Sequence, residues 1–244
     1  MRTLSAARLL DAWEHGLGLP PAARALSLLA AADPDTAPET LARLSVGQRD
    51  ERLLTLRERT FGPRLAAVAS CPGCAERLDL AFETAAIRDG SDADRAAEHT
   101  LAAEGYELRF RLPDSRDLAL LAGLGDVQTA RLALLERCLL EARLDGESRG
   151  AGELPDAVVG ALAERMAHVD RQADVRLALT CPACGREWQA AFDIASYFWS
   201  ELHDWAQHTL RDVHLLATAY GWREDDILAL SPRRRQLYLE MIGA

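Results

Sequence analysis

Long apolar runs are missing from this chain. Nothing in it approaches the ~20 consecutive apolar residues that cross a bilayer, and Met1-Arg2-Thr3-Leu4-Ser5 opens without the apolar core of a signal peptide. A surplus of positive charge is missing too: the net charge is −10, whereas capture of nucleic acid or of an anionic membrane surface needs a basic face. The glycine-rich phosphate loop, the H-E-x-x-H pair and the G-x-S-x-G elbow are absent. Carboxylates are plentiful, but no two form a pair that could be assigned to acid–base work. The expectation is a soluble, cytoplasmic, non-enzymatic protein with no small-molecule substrate, no nucleic-acid partner and no membrane partner.

Cysteine is scarce as well, with five residues, yet four of them fall into two like segments. Ser70-Cys71-Pro72-Gly73-Cys74 and Thr180-Cys181-Pro182-Ala183-Cys184 are each a C-P-x-C. An apolar stretch leads into each, and an alternating stretch leads out, from Arg77 to Glu83 and from Glu187 to Asp193. Both read as strand, tight knuckle, strand. A knuckle aims two sulfurs at one point, so two knuckles complete a tetrahedral thiolate shell around Zn²⁺. In a reducing cytoplasm such pairs favour metal over a disulfide. The expected cofactor is one structural Zn²⁺ per chain, held by Cys71, Cys74, Cys181 and Cys184. A redox dithiol is the competing reading of any C-x-x-C, but it normally lies between a strand and a helix. Cys138, alone in a helical pattern, reads as a buried apolar thiol.

A shift of 110 residues superposes Cys71 on Cys181, Cys74 on Cys184, Phe82 on Phe192 and Glu83 on Asp193. Two similar hairpins related by an approximate two-fold would each present one pair of thiolates to a shared metal.

The remaining chain reads mainly as helix. Ser5 caps a helix to about His15, and Pro20-Pro21 opens another to Ala32. A short helix follows at about 38–44. Ser45 and Gln48 have capping-box spacing for a helix to about Arg59, whose Arg49, Glu51, Arg52, Arg57, Glu58 and Arg59 read as a solvated face. Residues 91–98 read as a loop and 106–112 as a strand. Ser115 is the expected cap of a helix over 116–124, Asp126 that of a helix over 127–143, and Pro155 opens one to about Ala167. Asp193 caps a long helix from Ile194 to about Tyr220, with an apolar stripe of Trp199, Leu202, Ala206, Leu210, Val213, Ala217 and Tyr220. His203, His208 and His214 lie on it too, but their spacing does not gather them on one face for a metal. Gly221 ends this helix, a short one follows at 224–230, and Ser231-Pro232 opens the last, with Leu237, Tyr238, Met241 and Ile242 on one face. Arg233, Arg234 and Arg235 oppose the dipole of that helix, which makes them candidates for an acidic partner surface.

The fold class expected is therefore α+β and mainly α-helical, with helices around a small antiparallel β zinc ribbon assembled from two pseudo-symmetric C-P-x-C hairpins. Residues 1–60 form an N-terminal helical region, and 61–84 and 173–193 the halves of the ribbon. Residues 85–172 form a mostly helical insertion with one strand near 106–112, and 194–244 a C-terminal helical docking module. Its candidate partner-binding residues are Trp199, Trp205, Trp222, Arg233, Arg234, Arg235 and Tyr238, the aromatic and arginine types that interfaces favour.

The run Trp222-x4-Ile227-Leu228-x-Leu230-x4-Arg235-x2-Tyr238-Leu239, preceded by a helix rich in Trp, Leu and His, resembles a segment of small phage-tail proteins. These are the T-even-phage-type baseplate hub assembly chaperones and related baseplate proteins of contractile injection systems. The whole chain resembles larger bacterial, zinc-ribbon-containing members with C-P-x-C pairs. The resemblance implies a non-enzymatic assembly chaperone, or a minor structural component of the baseplate hub of a phage-tail-like contractile injection system. Baseplate or hub proteins are the implied partners, in the bacterial cytoplasm or in the assembled particle. The alternative is a zinc-ribbon nucleic-acid-binding or transcription accessory protein, against which the acidic charge weighs.

Overall fold

The computed structural model describes residues 2–89 and 96–243. Four helices come first: α1 (Ala6–Gly16), α2 (Pro21–Ala32), α3 (Pro38–Ala42) and α4 (Val46–Phe61). Their starts follow the cap chemistry of the sequence. Ser5 accepts from the Arg8 amide, Pro21 holds the first turn of α2, and Ser45 and Gln48 close a reciprocal capping box. Gly62, at φ +88°, turns the chain out of α4 into a hairpin of β1 (Arg64–Ser70) and β2 (Arg77–Glu83). A second hairpin, β7 (Val175–Thr180) with β8 (Glu187–Phe192), forms a separate two-stranded sheet. The long helix α8 (Ile194–Tyr220), capped by Asp193, then leads to α9 (Glu224–Leu228) and α10 (Pro232–Met241).

The N-terminal and C-terminal helices share one core. Leu9, Leu28, Leu53, Leu54 and Leu56 pack in the same buried cluster as Phe198, Leu202, Leu216, Ile227 and Leu239, and Leu65 brings the root of the first hairpin into it. Residues 194–243 are thus integral to this core. The buried line of α8 runs Ile194, Phe198, Leu202, Ala206, Thr209, Val213 and Leu216. It is rotated from the stripe expected: Trp199, Leu210 and Ala217 are half-buried on its flank, and Tyr220 is exposed.

Two corrections concern charge. Arg49 and Arg57, expected on the solvated face of α4, are only 4% and 3% exposed. They flank Leu53 at i−4 and i+4, so helical period places them on the inner face. On α10 the inner residues are Arg235 and Leu239, whereas Leu237 and Met241 point outward.

Residues 91–95 lie outside the described residues, and 96–98 are irregular. The segment that follows departs furthest from expectation. It carries four strands where one was expected: β3 (His99–Ala103), β4 (Tyr106–Phe110), β5 (Leu139–Leu144) and β6 (Glu147–Ser148), paired antiparallel in that order. Glu104 and Gly105, at φ +50° and +81°, join β3 to β4 in a two-residue turn. The helix expected over 127–143 stops at Cys138, and β5 pairs with β4 in the register Leu108↔Ala142. The helix-forming Leu, Glu, Ala and Arg of β5 yield to this pairing, which buries Ala142 against Tyr106, Leu108 and Phe110. Helices α6 (Val127–Cys138) and α7 (Asp156–Val169) complete a second core with Leu135, Val158 and Leu162, and the short helix α5 (Ser115–Leu121) lies between α6 and α2. Asp114, not Ser115, caps α5, in a capping box with Asp117.

This second unit is pinned to the first at the N-terminus of α4. The Val46 amide donates to Pro113 O at 3.0 Å, and the Gly47 amide to Asp170 Oδ2 at 3.1 Å. Two of the amide donors that a helix start leaves unpaired are thus satisfied by the insertion. No helix among the described residues is long and apolar enough to cross a membrane.

Candidate metal centre

Each knuckle is built by the same backbone bonds. In the first, the Cys71 amide donates to Glu76 O at 2.8 Å and the Ala75 amide to Cys71 O at 2.9 Å. In the second, Cys181 donates to Arg186 O and Gly185 to Cys181 O, both at 2.9 Å. Ala75 and Gly185 both lie in the left-handed region, at φ +63° and +71°. The equivalence at a spacing of 110 residues therefore extends from sequence to backbone geometry.

On the inner faces, Leu65, Ala67 and Ala69 pair with Phe82, Leu80 and Leu78, and Val175, Leu177 and Leu179 with Phe192, Ala190 and Trp188. At the roots, Phe82 and Phe192 meet edge-to-face at 5.6 Å. At the tips the four sulfurs of Cys71, Cys74, Cys181 and Cys184 all lie within 4.8 Å of one another. Cys71 Sγ is 3.7 Å from Cys184 Sγ, and Cys74 Sγ is 3.6 Å from Cys181 Sγ. The pseudo-two-fold exchanges these two distances. Both are far beyond the ~2.05 Å of a disulfide bond, and they bring one pair of thiols from each hairpin to a common point that can hold a metal ion.

The electrostatics agree with a thiolate site. Burial pushes the Cys71 thiol up, but the amides of Gly73 and Cys74 and the other thiols outweigh it and draw it down to about 7. The Gly73 amide donates to Cys71 Sγ at 3.3 Å. For Cys74 the Glu76 amide pulls down, yet the thiols of Cys181 and Cys184 prevail and push it up to about 12. Without a cation, one thiolate here opposes the next. A metal ion removes that opposition, because the ligand form of cysteine is the thiolate. The chain covers the site unevenly: Cys71 and Cys181 are buried, and Cys74 and Cys184 exposed. Arg186 lies across Gly73, where a Cβ would come within 2.9 Å of its Cδ.

A half-buried network absent from the sequence reading anchors the first hairpin. Arg57 donates Nε and Nη2 to the Glu201 carboxylate at 2.8 and 2.6 Å, and Nη1 to Gly62 O at 2.7 Å. Tyr197 Oη donates to Ala66 O at 2.9 Å and accepts from the Ala66 amide at 3.1 Å. The signal for Arg57 was its place in line with Leu53. Tyr197 and Glu201 gave none.

The other candidates are dispersed. Trp199 lies against Gly16 and under the Arg24 guanidinium, 4.8 Å from its ring centroid, and Trp205 is half-buried on the main core. Trp222 stacks on Tyr220 and meets Tyr238 edge-on at 4.8 Å. Arg235 is buried, with Nε 3.5 Å from Asp212, so the three arginines are not one exposed triplet; Arg233 and Arg234 are exposed. His203 accepts from Trp13 Nε1 at 3.1 Å, the ring of His208 donates to Asp204 O, and His214 is exposed. Among the described residues, the one grouping placed for a metal is the four cysteines. Cys138 is fully buried, and burial pushes its thiol up to about 12.

No curated protein and no solved structure gave a significant match. The description "T4 bacteriophage base plate protein" matches residues 28–199. That span holds both knuckles, the insertion between them and the start of α8, and it ends before the 222–239 segment that carried the resemblance. With more than two thirds of its length in the match, both cysteine pairs included, the chain belongs to the T4 bacteriophage base plate protein family.

Proposed function

We propose that the chain acts without catalysis in the baseplate hub of a phage-tail-like contractile injection system, as an assembly chaperone or minor structural component held by one structural Zn²⁺. Family membership supports the baseplate role, and the cysteine geometry supports the metal. Thiolates at the usual Zn–S distance of ~2.3 Å form a tetrahedron with edges of about 3.8 Å, close to the 3.7 and 3.6 Å between the hairpins. Four protein ligands leave no open coordination position, so the ion is structural. When bound, it neutralises the thiolates and ties the two hairpins together.

The carrying observation is that the matched family span and the metal clamp coincide. The two hairpins share no strand hydrogen bonds, and an isolated two-stranded hairpin is marginal in water. The ion thus joins the two hairpins within the span that the family match covers. The test is a pull-down of hub and baseplate proteins from the same gene cluster by wild type and by Cys71→Ser/Cys181→Ser, with metal content measured alongside. The expected result is about one zinc per wild-type chain and capture that weakens in the double variant. A zinc-free wild type that captures its neighbours unchanged refutes the clamp, and failure to capture any baseplate protein refutes the role.

A further inference from the structure

Two short sulfur contacts cross between the hairpins, and each joins an exposed thiol to a buried one. Cys184, exposed, lies 3.7 Å from buried Cys71, and Cys74, exposed, lies 3.6 Å from buried Cys181. Residues 72–77 and 182–187 are all exposed, so both tips stand open to solvent. A small solute therefore reaches Cys74 and Cys184 first. Bringing either contact to the ~2.05 Å of a disulfide needs an approach of about 1.6 Å. The two hairpins share no strand hydrogen bonds, so they can close that gap as units. A bond within one knuckle would instead have to form inside a turn whose backbone bonds already fix it, Cys71 to Glu76 O and Ala75 to Cys71 O.

We propose that a hydroperoxide converts this site from a metal clamp into a covalent one, with Cys74 bonded to Cys181 and Cys184 to Cys71. The proposal rests on the zinc reading of the site. The exposed thiolate attacks a peroxide oxygen, the O–O bond breaks, and the sulfur becomes a sulfenic acid. The buried thiolate across the hairpins then attacks that sulfur, the S–S bond forms, and the S–O bond breaks. Two thiolates, one hydrogen peroxide and two protons give one disulfide and two waters, and two electrons pass from sulfur to oxygen. The site repeats the step at its second contact. A disulfide sulfur no longer carries the thiolate charge that binds a cation, so the ion is lost while the hairpins stay joined.

The test treats the zinc-loaded, full-length chain with hydrogen peroxide and maps the products by mass spectrometry without reduction. Trypsin cuts after Arg64, Arg77, Arg176 and Arg186, so the two cysteines of each knuckle share one peptide. Bonds between hairpins join the two peptides, and bonds within knuckles leave them apart. The expected product is the joined pair, with fragmentation assigning Cys71–Cys184 and Cys74–Cys181. About two equivalents of peroxide should release about one zinc per chain, and dithiothreitol with added zinc should reverse both changes. Fully buried Cys138 should stay reduced. Hydrogen exchange at β1, β2, β7 and β8 should remain slow in the oxidised, zinc-free protein. Separate peptides, the pairing Cys71–Cys181, zinc release without disulfides, or thiols that resist peroxide would each overturn the proposal. Zinc content before peroxide scores the metal reading by itself, and the disulfide map scores the pairing, so the two fail independently.

Discussion

Arg57 carries its charge into the main core and ends in a bidentate pair with Glu201. Breaking a buried pair from one side leaves uncompensated groups behind. Arg57→Ala is therefore expected to cost about 3 kcal/mol in urea unfolding. The knuckles offer an opposite case. Ala75 holds a left-handed conformation that its counterpart Gly185 adopts freely. Ala75→Gly should stabilise the metal-loaded protein by about 0.5–1 kcal/mol, read as a rise in Tm. Asp50 sets a pH dependence. Burial, opposed by Arg49 and reinforced by Asp193 and Asp170, pushes its carboxyl up to about 6. A pKa raised on folding adds stability below the unfolded value, and that stability is lost as pH rises through the folded one. Asp50 thus favours the fold more at pH 5 than at pH 7, by about 1 kcal/mol. Asp117 works the other way. Burial pushes it up, but Arg111, the Asp114 amide and Arg137 prevail and hold it at about 2, so its contribution is present above about 3.8 and is lost as pH falls through 2. Thermal unfolding should give a maximum near pH 5, and Asp50→Asn should shrink the rise between pH 7 and 5, to which Asp170 and Asp212, also raised by burial, contribute with the same sign, while leaving the acid limb.

At the scale of elements, α4 joins the two units. Its buried stripe belongs to the main core, and its first amides are occupied by Pro113 O and the Asp170 carboxylate. Gly47 is required there because a Cβ would overlap the Asp170 carboxylate. Gly47→Ala should displace that cap, cost about 1–2 kcal/mol and raise hydrogen exchange at residues 46–48 and 113–114. The hairpins are the elements that a bound ion would support most, since they share no strand hydrogen bonds. On chelation, exchange should rise throughout β1, β2, β7 and β8, while β3, β4 and β5, with their own apolar core, retain protection. Equal loss in both groups would show that the ion supports the whole fold rather than the clamp.

Across the whole molecule, an ion held by the four cysteines would close a long loop. Cys74 and Cys181 lie 107 residues apart, and in the chain-entropy picture a link across a loop of that order is worth about 4–5 kcal/mol. Metal removal, or Cys71→Ser, is expected to lower stability by several kcal/mol, with metal content and midpoint falling together. The loop also explains the architecture. The chain leaves the first knuckle, builds a four-stranded sheet with three helices, and returns to the second knuckle through Asp170 and Gln172, both docked at the junction.

Local chemistry was legible in the residues themselves. Ser5, Ser45, Asp193 and Ser231 cap helices because a short side-chain oxygen can reach the next turn's amides in almost any setting. The four sulfurs were legible because C-P-x-C makes a knuckle by itself, and two knuckles leave one stoichiometry for a tetrahedral ion. The strands β3 and β5 were not, since their alanines, leucines and charges favour helix, and only pairing with β4 outweighs that preference. Helical period in line with Leu53 pointed Arg57 inward but did not show what receives it: its charge and that of Arg235 are tolerable in a core because Glu201 and Asp212 meet them from α8. What a residue can do with its near neighbours was determined by sequence, and what it does with distant ones was decided when the chain closed on itself, because burial and strand pairing depend on groups that sequence order keeps apart.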